Sequence, residues 1–240
     1  SLWPDDNRLR RASPVIMIRL PGSLGWHPKP CSLKGMQPLP PPTASPEADS
    51  PCKLINDMSK AETALGNSSN DAPFLVVLGI AQDTGSPSAG CMKKCCARAV
   101  SDPDARRLVS CLGIVDPASG ERWLIDCTPD FREQLRELDR IALPASAPGI
   151  DGMLLAHAHI GHYAGLMHLG REVLGTRNIP VHAMPLMKEF LETNGPWNQL
   201  VRLKNIAISD LTAGRPVRLN ERISVTPFEA PHRGEFSETV

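Results

Sequence analysis

The chain has 240 residues, and its 26 Lys+Arg offset 26 Asp+Glu to give a formal net charge of zero. A neutral chain without a clustered basic surface is excluded as a binder of nucleic-acid backbones or anionic membranes. No apolar run reaches the roughly 18–20 residues of a membrane-spanning helix, and 41% hydrophobic with 22% charged residues suits a domain that buries a core.

Residues 1–72 differ in texture from the rest. They hold 11 of the 24 prolines, and no acidic residue falls between Asn7 and Pro46, where Arg8, Arg10, Arg11, Arg19, Lys29 and Lys34 lie. The stretch PLPPPTASP (38–46) supports neither helix nor central strand, because proline lacks the amide donor and fixes φ. Val15–Leu20 is too short and too interrupted for a secretory apolar segment. Residues 1–72 read as a disordered or non-native Pro-rich leader, and residues 73–240 as the folded domain.

From Pro73 the elements follow in order. Phe74–Ile80 is short, apolar and bounded by turn formers, so it predicts a buried strand. Leu108–Val115 and Arg122–Cys127 predict two more, joined through Asp116–Gly120, which is rich in turn residues. Thr128 as N-cap and Pro129 at the first position predict a helix with Phe131, Leu135, Leu138 and Ile141 on one face. A strand at Ile150–Ala156, a helix from about Tyr163 to Leu174, a strand at Ile179–Met184 and a helix from Pro185 to Thr193 come next. Strands at Ile206–Leu211 and Ile223–Phe228 complete a layered α/β series.

The chemistry concentrates in LLAHAHIGHYAGL, residues 154–166. His157 and His159 are two apart on extended chain, so their side chains leave from one face. His162 follows where the next helix opens, and its imidazole can turn back toward the same point. Imidazole is the commonest side-chain ligand of zinc and suits iron as well. The plain alternative is a solvated histidine loop, but this one sits between a buried strand and an amphipathic helix.

This loop resembles the signature of the metallo-β-lactamase superfamily, which usually reads His-x-His-x-Asp-His. Leu124-Ile-Asp-Cys127 is similar to the family's earlier strand ending in Asp, which implies that Asp126 orients the histidine loop from behind. Pro231-His232 stands where ribonuclease-Z-like members supply a third metal-binding histidine. GIAQDTGSPSAGCMKKCC, RWLIDCTPDFREQL, HAHIGHYAGLMHLGRE, ETNGPW and PHRGEFSETV resemble the pyrroloquinoline quinone biosynthesis protein B branch. The resemblance implies an α+β, four-layer αββα sandwich. The chain stops at Val240, so the C-terminal half of that sandwich is expected to be incomplete, with an apolar sheet face and strand edges uncovered.

Gly161 stands where most members carry the Asp that serves a second metal, and glycine has no ligand atom. The expectation is therefore one catalytic ion, zinc or iron, among His157, His159, His232 and His162. The general base is not identified, since Asp126 reads as an orienting group. Cys91 and Cys95 are four apart and would share a helix face, with Cys96 beside them. The resembled branch carries a cysteine-rich zinc knuckle here, implying a second, structural zinc. Reduced free thiols are the alternative. Seven irregularly spaced cysteines point to a reducing compartment, read as cytoplasmic, rather than to a disulfide framework.

The functional expectation is hydrolysis of a small-molecule substrate by a metal-activated water. Three rivals remain: an iron-dependent oxygenase on the same fold, a carrier of a quinone-cofactor precursor without turnover, and a metal-free remnant. Neither nucleic acid nor membrane is expected as a partner, and oligomeric state is open.

Overall fold

The computed structural model describes residues 17–19, 71–232 and 234–240. Of the expected leader, only Met17–Arg19 and residues 71–72 fall within them. In chain order the strands are β1 (Met17–Arg19), β2 (Phe74–Gly79), β3 (Cys111–Asp116), β4 (Glu121–Ile125), β5 (Gly152–Leu154), β6 (Ile179–Ala183), β7 (Ile206–Asp210), β8 (Val217–Arg218) and β9 (Ser224–Thr226). The helices are α1 (Lys94–Ser101), α2 (Phe131–Ile141), α3 (Ile160–Tyr163), α4 (Pro185–Thr193) and α5 (Trp197–Arg202). Among the described residues no helix is long and apolar enough to cross a membrane.

Six strands form one sheet in the order β2-β3-β4-β5-β6-β7, and β1-β9-β8 form a second. Pairing is antiparallel from β2 to β4 and parallel from β4 to β7. The switch follows from the connections: a tight turn joins β3 to β4, whereas helical segments follow β4, β5 and β6. Alternation then sorts the side chains by face. Val115, Leu124, Met153, Val181 and Ile206 meet Phe131 and Leu138 of α2, Met187 and Leu191 of α4, and Trp197 and Leu200 of α5. Ile114, Trp123, Ile125 and Leu154 point to the opposite face and pack with Leu219, Ile223 and Val225.

That second face is therefore not bare, against the expectation from the resemblance, because the residues flanking and forming β9 lie over it. A mixed six-stranded sheet with helices on one face makes the α+β architecture expected. Among the described residues it has three layers: helices, the six-stranded sheet and the three-stranded sheet.

Local differences have local causes. Thr128 does not cap α2; its Oγ1 accepts from the Asp130 N–H at 3.1 Å and donates to Gln134 Oε1 at 2.7 Å. Pro129 consequently sits in the turn, and Asp130 precedes the helix, its carboxylate accepting from the Val109 N–H at 2.8 Å. Ile141, read as part of the buried face, is exposed at the helix end. The helix expected from Tyr163 to Leu174 is instead the short α3 followed by a 3-10 segment, Ala164–Leu169. Gly165 lies there against backbone: a Cβ would meet the Thr128 carbonyl oxygen at 2.1 Å. α5 was not foreseen. Its Trp197 is a packing anchor, edge-on to Tyr163 at 5.2 Å.

Candidate metal centre

The centre is built where β4 and β5 end. Asp126, the residue after β4, takes φ 69°, a left-handed conformation that Asp tolerates better than most residues. This turn directs both carboxylate oxygens at the histidine loop. Oδ1 accepts from the Ala156 N–H at 2.8 Å, and Oδ2 lies 2.6 Å from His162 Nδ1. The loop is held from the other side by the chain's last residues. Ser237 Oγ accepts from the Ala158 N–H at 2.7 Å, and the Val240 N–H donates to the Ala156 carbonyl at 3.1 Å. Backbone that leaves the sheet is thus tied at Ala156 and Ala158, which fixes where the imidazoles start.

Three imidazoles converge from this frame. His157 Nε2 lies 2.9 Å from His159 Nδ1, and His232 Nε2 lies 3.2 Å from the same atom. One ring nitrogen from each of the three falls within 4.8 Å of the others. His157 is buried, His159 half-buried and His232 exposed, so the cluster opens to solvent on the His232 side. The outward Nε2 of His159 lies 3.7 Å from the Glu235 carboxylate.

His162 takes a different position. Its ring packs on His157 with centroids 4.1 Å apart. Both its nitrogens face carboxylates, Nδ1 to Asp126 and Nε2 to Asp83 Oδ1 at 3.2 Å. Burial alone would lower the pKa of this imidazole, but the hydrogen bond and charge of Asp126, with Asp83 adding, hold it above the usual histidine range. Of the other described histidines, His168 and His182 are not part of the cluster. His168 is buried and stacks on Phe131 at 5.6 Å.

Cys91, Cys95 and Cys96 also converge, their sulfurs within 4.8 Å of one another. They do not share one helix: Cys91 precedes α1, and its sulfur reaches that of Cys95 at 3.9 Å from the preceding loop. The Lys93 N–H and the neighbouring thiols lower the Cys91 thiol. For Cys96 the Ser88 N–H acts downward, but Cys91, burial and Cys95 outweigh it and push the thiol up. Cys111 and Cys127 are buried, and burial raises both well above the ordinary thiol range.

Two contributors escaped the sequence reading. Ser237 lies 79 positions from the N–H it receives, and no short-range pattern announces such a contact. Asp83 lies in the loop after β2, yet its carboxylate faces the histidine loop. The signal for it was Gly161, a glycine that leaves a volume to be filled.

Set beside known proteins, residues 121–239 match the family model described as the Beta-lactamase superfamily domain. The zinc-bound PqqB of Methylobacterium extorquens matches in structure with a TM-score of 0.56 and 22% identity, over 65% of this chain and 52% of that one. A diphosphatase from the PhnP family aligns with 27% identity and a TM-score of 0.45, over 61% of this chain and 53% of that one. In sequence, a protein of Porphyromonas gingivalis named octanoyltransferase is 39% identical over 108 residues, 45% of this chain and 20% of that protein. This chain thus spans about half the length of the PqqB structure and a fifth of the Porphyromonas protein.

The domain has the metallo-β-lactamase fold, with the histidine loop at the strand ends. Its fold is similar to that of the zinc-bound PqqB.

Proposed function

We propose that the chain is a metal-dependent hydrolase acting on a small-molecule substrate, with one divalent ion, zinc or iron, held by His157, His159 and His232. The convergence of His157 Nε2, His159 Nδ1 and His232 Nε2 carries this reading. Two unprotonated ring nitrogens 2.9–3.2 Å apart repel unless a proton or a cation lies between them. Ligands bound at 2.0–2.1 Å around a tetrahedral ion are separated by roughly 3.3 Å, so the spacing fits such an ion. When bound, the ion supplies a Lewis acid and an activated water at neutral pH.

The chain's own residues do the rest. Asp126 holds the loop through the Ala156 N–H, which keeps His157 and His159 in register with His232. Glu235 faces the outward nitrogen of His159 and favours the tautomer whose Nδ1 lone pair points inward. The exposed His232 side leaves the approach for substrate. A second, structural zinc at Cys91, Cys95 and Cys96 belongs to the same proposal. The 3.9 Å between the Cys91 and Cys95 sulfurs is close to the roughly 3.8 Å spanned by two thiolates on tetrahedral zinc.

The test is turnover by the zinc-loaded or iron-loaded full chain on panels of esters, amides and phosphodiesters. Hydrolysis of one class, abolished in His159→Ala, is the expected result. Stoichiometric metal with no turnover on any panel would replace the hydrolase reading by that of a carrier.

A further inference from the structure

Residues 235–238 reach the histidine loop and α4 in turn. Glu235 lies 3.7 Å from His159 Nε2, and Ser237 Oγ accepts from the Ala158 N–H. Between them the Phe236 ring packs on that of Phe190 with centroids 5.8 Å apart. The Glu238 carboxylate then accepts from the Leu186 N–H at 3.1 Å. The segment is pinned on both sides, and Phe236 is held between two residues that touch the loop bearing His157 and His159.

Phe236 is nevertheless 63% exposed, and Leu186 is 49% exposed. Leu186 and Phe190 are four apart on α4 and share a face, while Glu189 and Glu192 give the helix its charged surface. The half-buried Phe190 ring continues inward, edge-on to Tyr163 at 5.3 Å, the residue after His162. Leu186, Phe190 and Phe236 thus form an apolar wall that starts beside the histidine centre. Water on such a wall is released when an apolar group covers it. Three side chains of at most roughly 250 Å² each fall short of the ~1,000 Å² of a stable protein interface, so the wall suits a small molecule.

We infer that this wall selects substrates carrying an apolar, aryl-bearing group beside the bond under attack, with Phe236 as the residue that sets the preference. An aromatic ring can meet Phe236 and Phe190 in the tilted or edge-on arrangements that aromatic pairs favour. The inference deepens the hydrolase reading and rests on it for the reaction, but the wall needs no turnover to bind.

Isothermal titration of the zinc-loaded full chain with 4-phenylbutyrate and with acetate tests it, since both offer the same carboxylate and differ in the apolar tail. Phenylbutyrate should bind at least about tenfold more tightly. That advantage should vanish in Phe236→Ser, at unchanged zinc content and thermal midpoint, and largely persist in Phe236→Leu. Equal affinity for the two acids, binding of neither, or an advantage unchanged in Phe236→Ser would overturn the inference. Ester turnover separates it from the reading beneath. Hydrolysis with no preference between phenylbutyryl and acetyl esters would keep the hydrolase and overturn the wall. Preferential binding without hydrolysis of any ester would support the wall as part of a carrier's site and defeat the hydrolase.

Discussion

The histidine centre and the cysteine cluster each bring three ligand-type side chains within 4.8 Å, yet they are held by different means. The histidines come from segments 73 residues apart, His159 and His232, and are fixed by backbone bonds, the Asp126 carboxylate and the Ser237 hydroxyl. The cysteines lie within six residues, Cys91 in the loop before α1 and Cys95 and Cys96 in its first turn. Cys95 is exposed, and the nearby Ser88 donates its N–H to the Cys96 sulfur at 3.4 Å and accepts from the Cys91 N–H at 3.0 Å. The first cluster is shaped by the fold and the second by local chain. A site shaped by the fold keeps its geometry before any ion arrives, whereas a local one gains most of its order from the ion itself.

Removing the fold's hold on the histidines gives the largest effect. Asp126→Ala leaves the buried Ala156 N–H without its acceptor and should destabilise the chain by about 1–3 kcal/mol in urea unfolding. The same change should weaken zinc binding at the three histidines by about 10–100-fold in a competition titration. An unchanged affinity would show that the frame is dispensable.

Cys95→Ser sharpens the contrast from the other side. In metal-free protein it should change stability by no more than about 0.5 kcal/mol, since the side chain is exposed. A cost of 2 kcal/mol or so would mean that the cluster is part of the packing rather than a local appendage.

The smallest effect concerns His168, which is outside both clusters. Burial, with Arg132 adding, holds its pKa below the usual value, so the native state favours the neutral ring. The unfolded chain takes up the proton near pH ~6.5. The stability this provides is present above that pH and is lost as pH falls through the lower native value. His168→Phe keeps the stack on Phe131 and should flatten that acid limb in unfolding curves measured from pH 7 to pH 5.

Much of this was legible in local sequence. The runs at residues 74–80, 122–127, 179–184 and 206–211 predict strands that the structure contains to within two residues at their ends, because a buried face enforces alternation. The helix Pro185–Thr193 is found with the expected bounds. His157, His159 and His232 were legible as chemistry through loop spacing and resemblance, and the fold brings them together. What local sequence hid is what depends on distant chain. Thr128 looks like an N-cap until Gln134 and Asp130 compete for its hydroxyl. Gly161 looks like a lost ligand until the Asp83 backbone is found in its place. Ser237 and Val240 secure a loop some 80 residues earlier, a contact that only the tertiary path of the chain creates.

The most direct test of the account is metal content by mass spectrometry on untagged full chain, beside a His157→Ala/His159→Ala double variant. The account predicts zinc or iron at the histidine centre, absent from the variant while any ion at the cysteines stays. Equal metal in both proteins, or none in either, would contradict it.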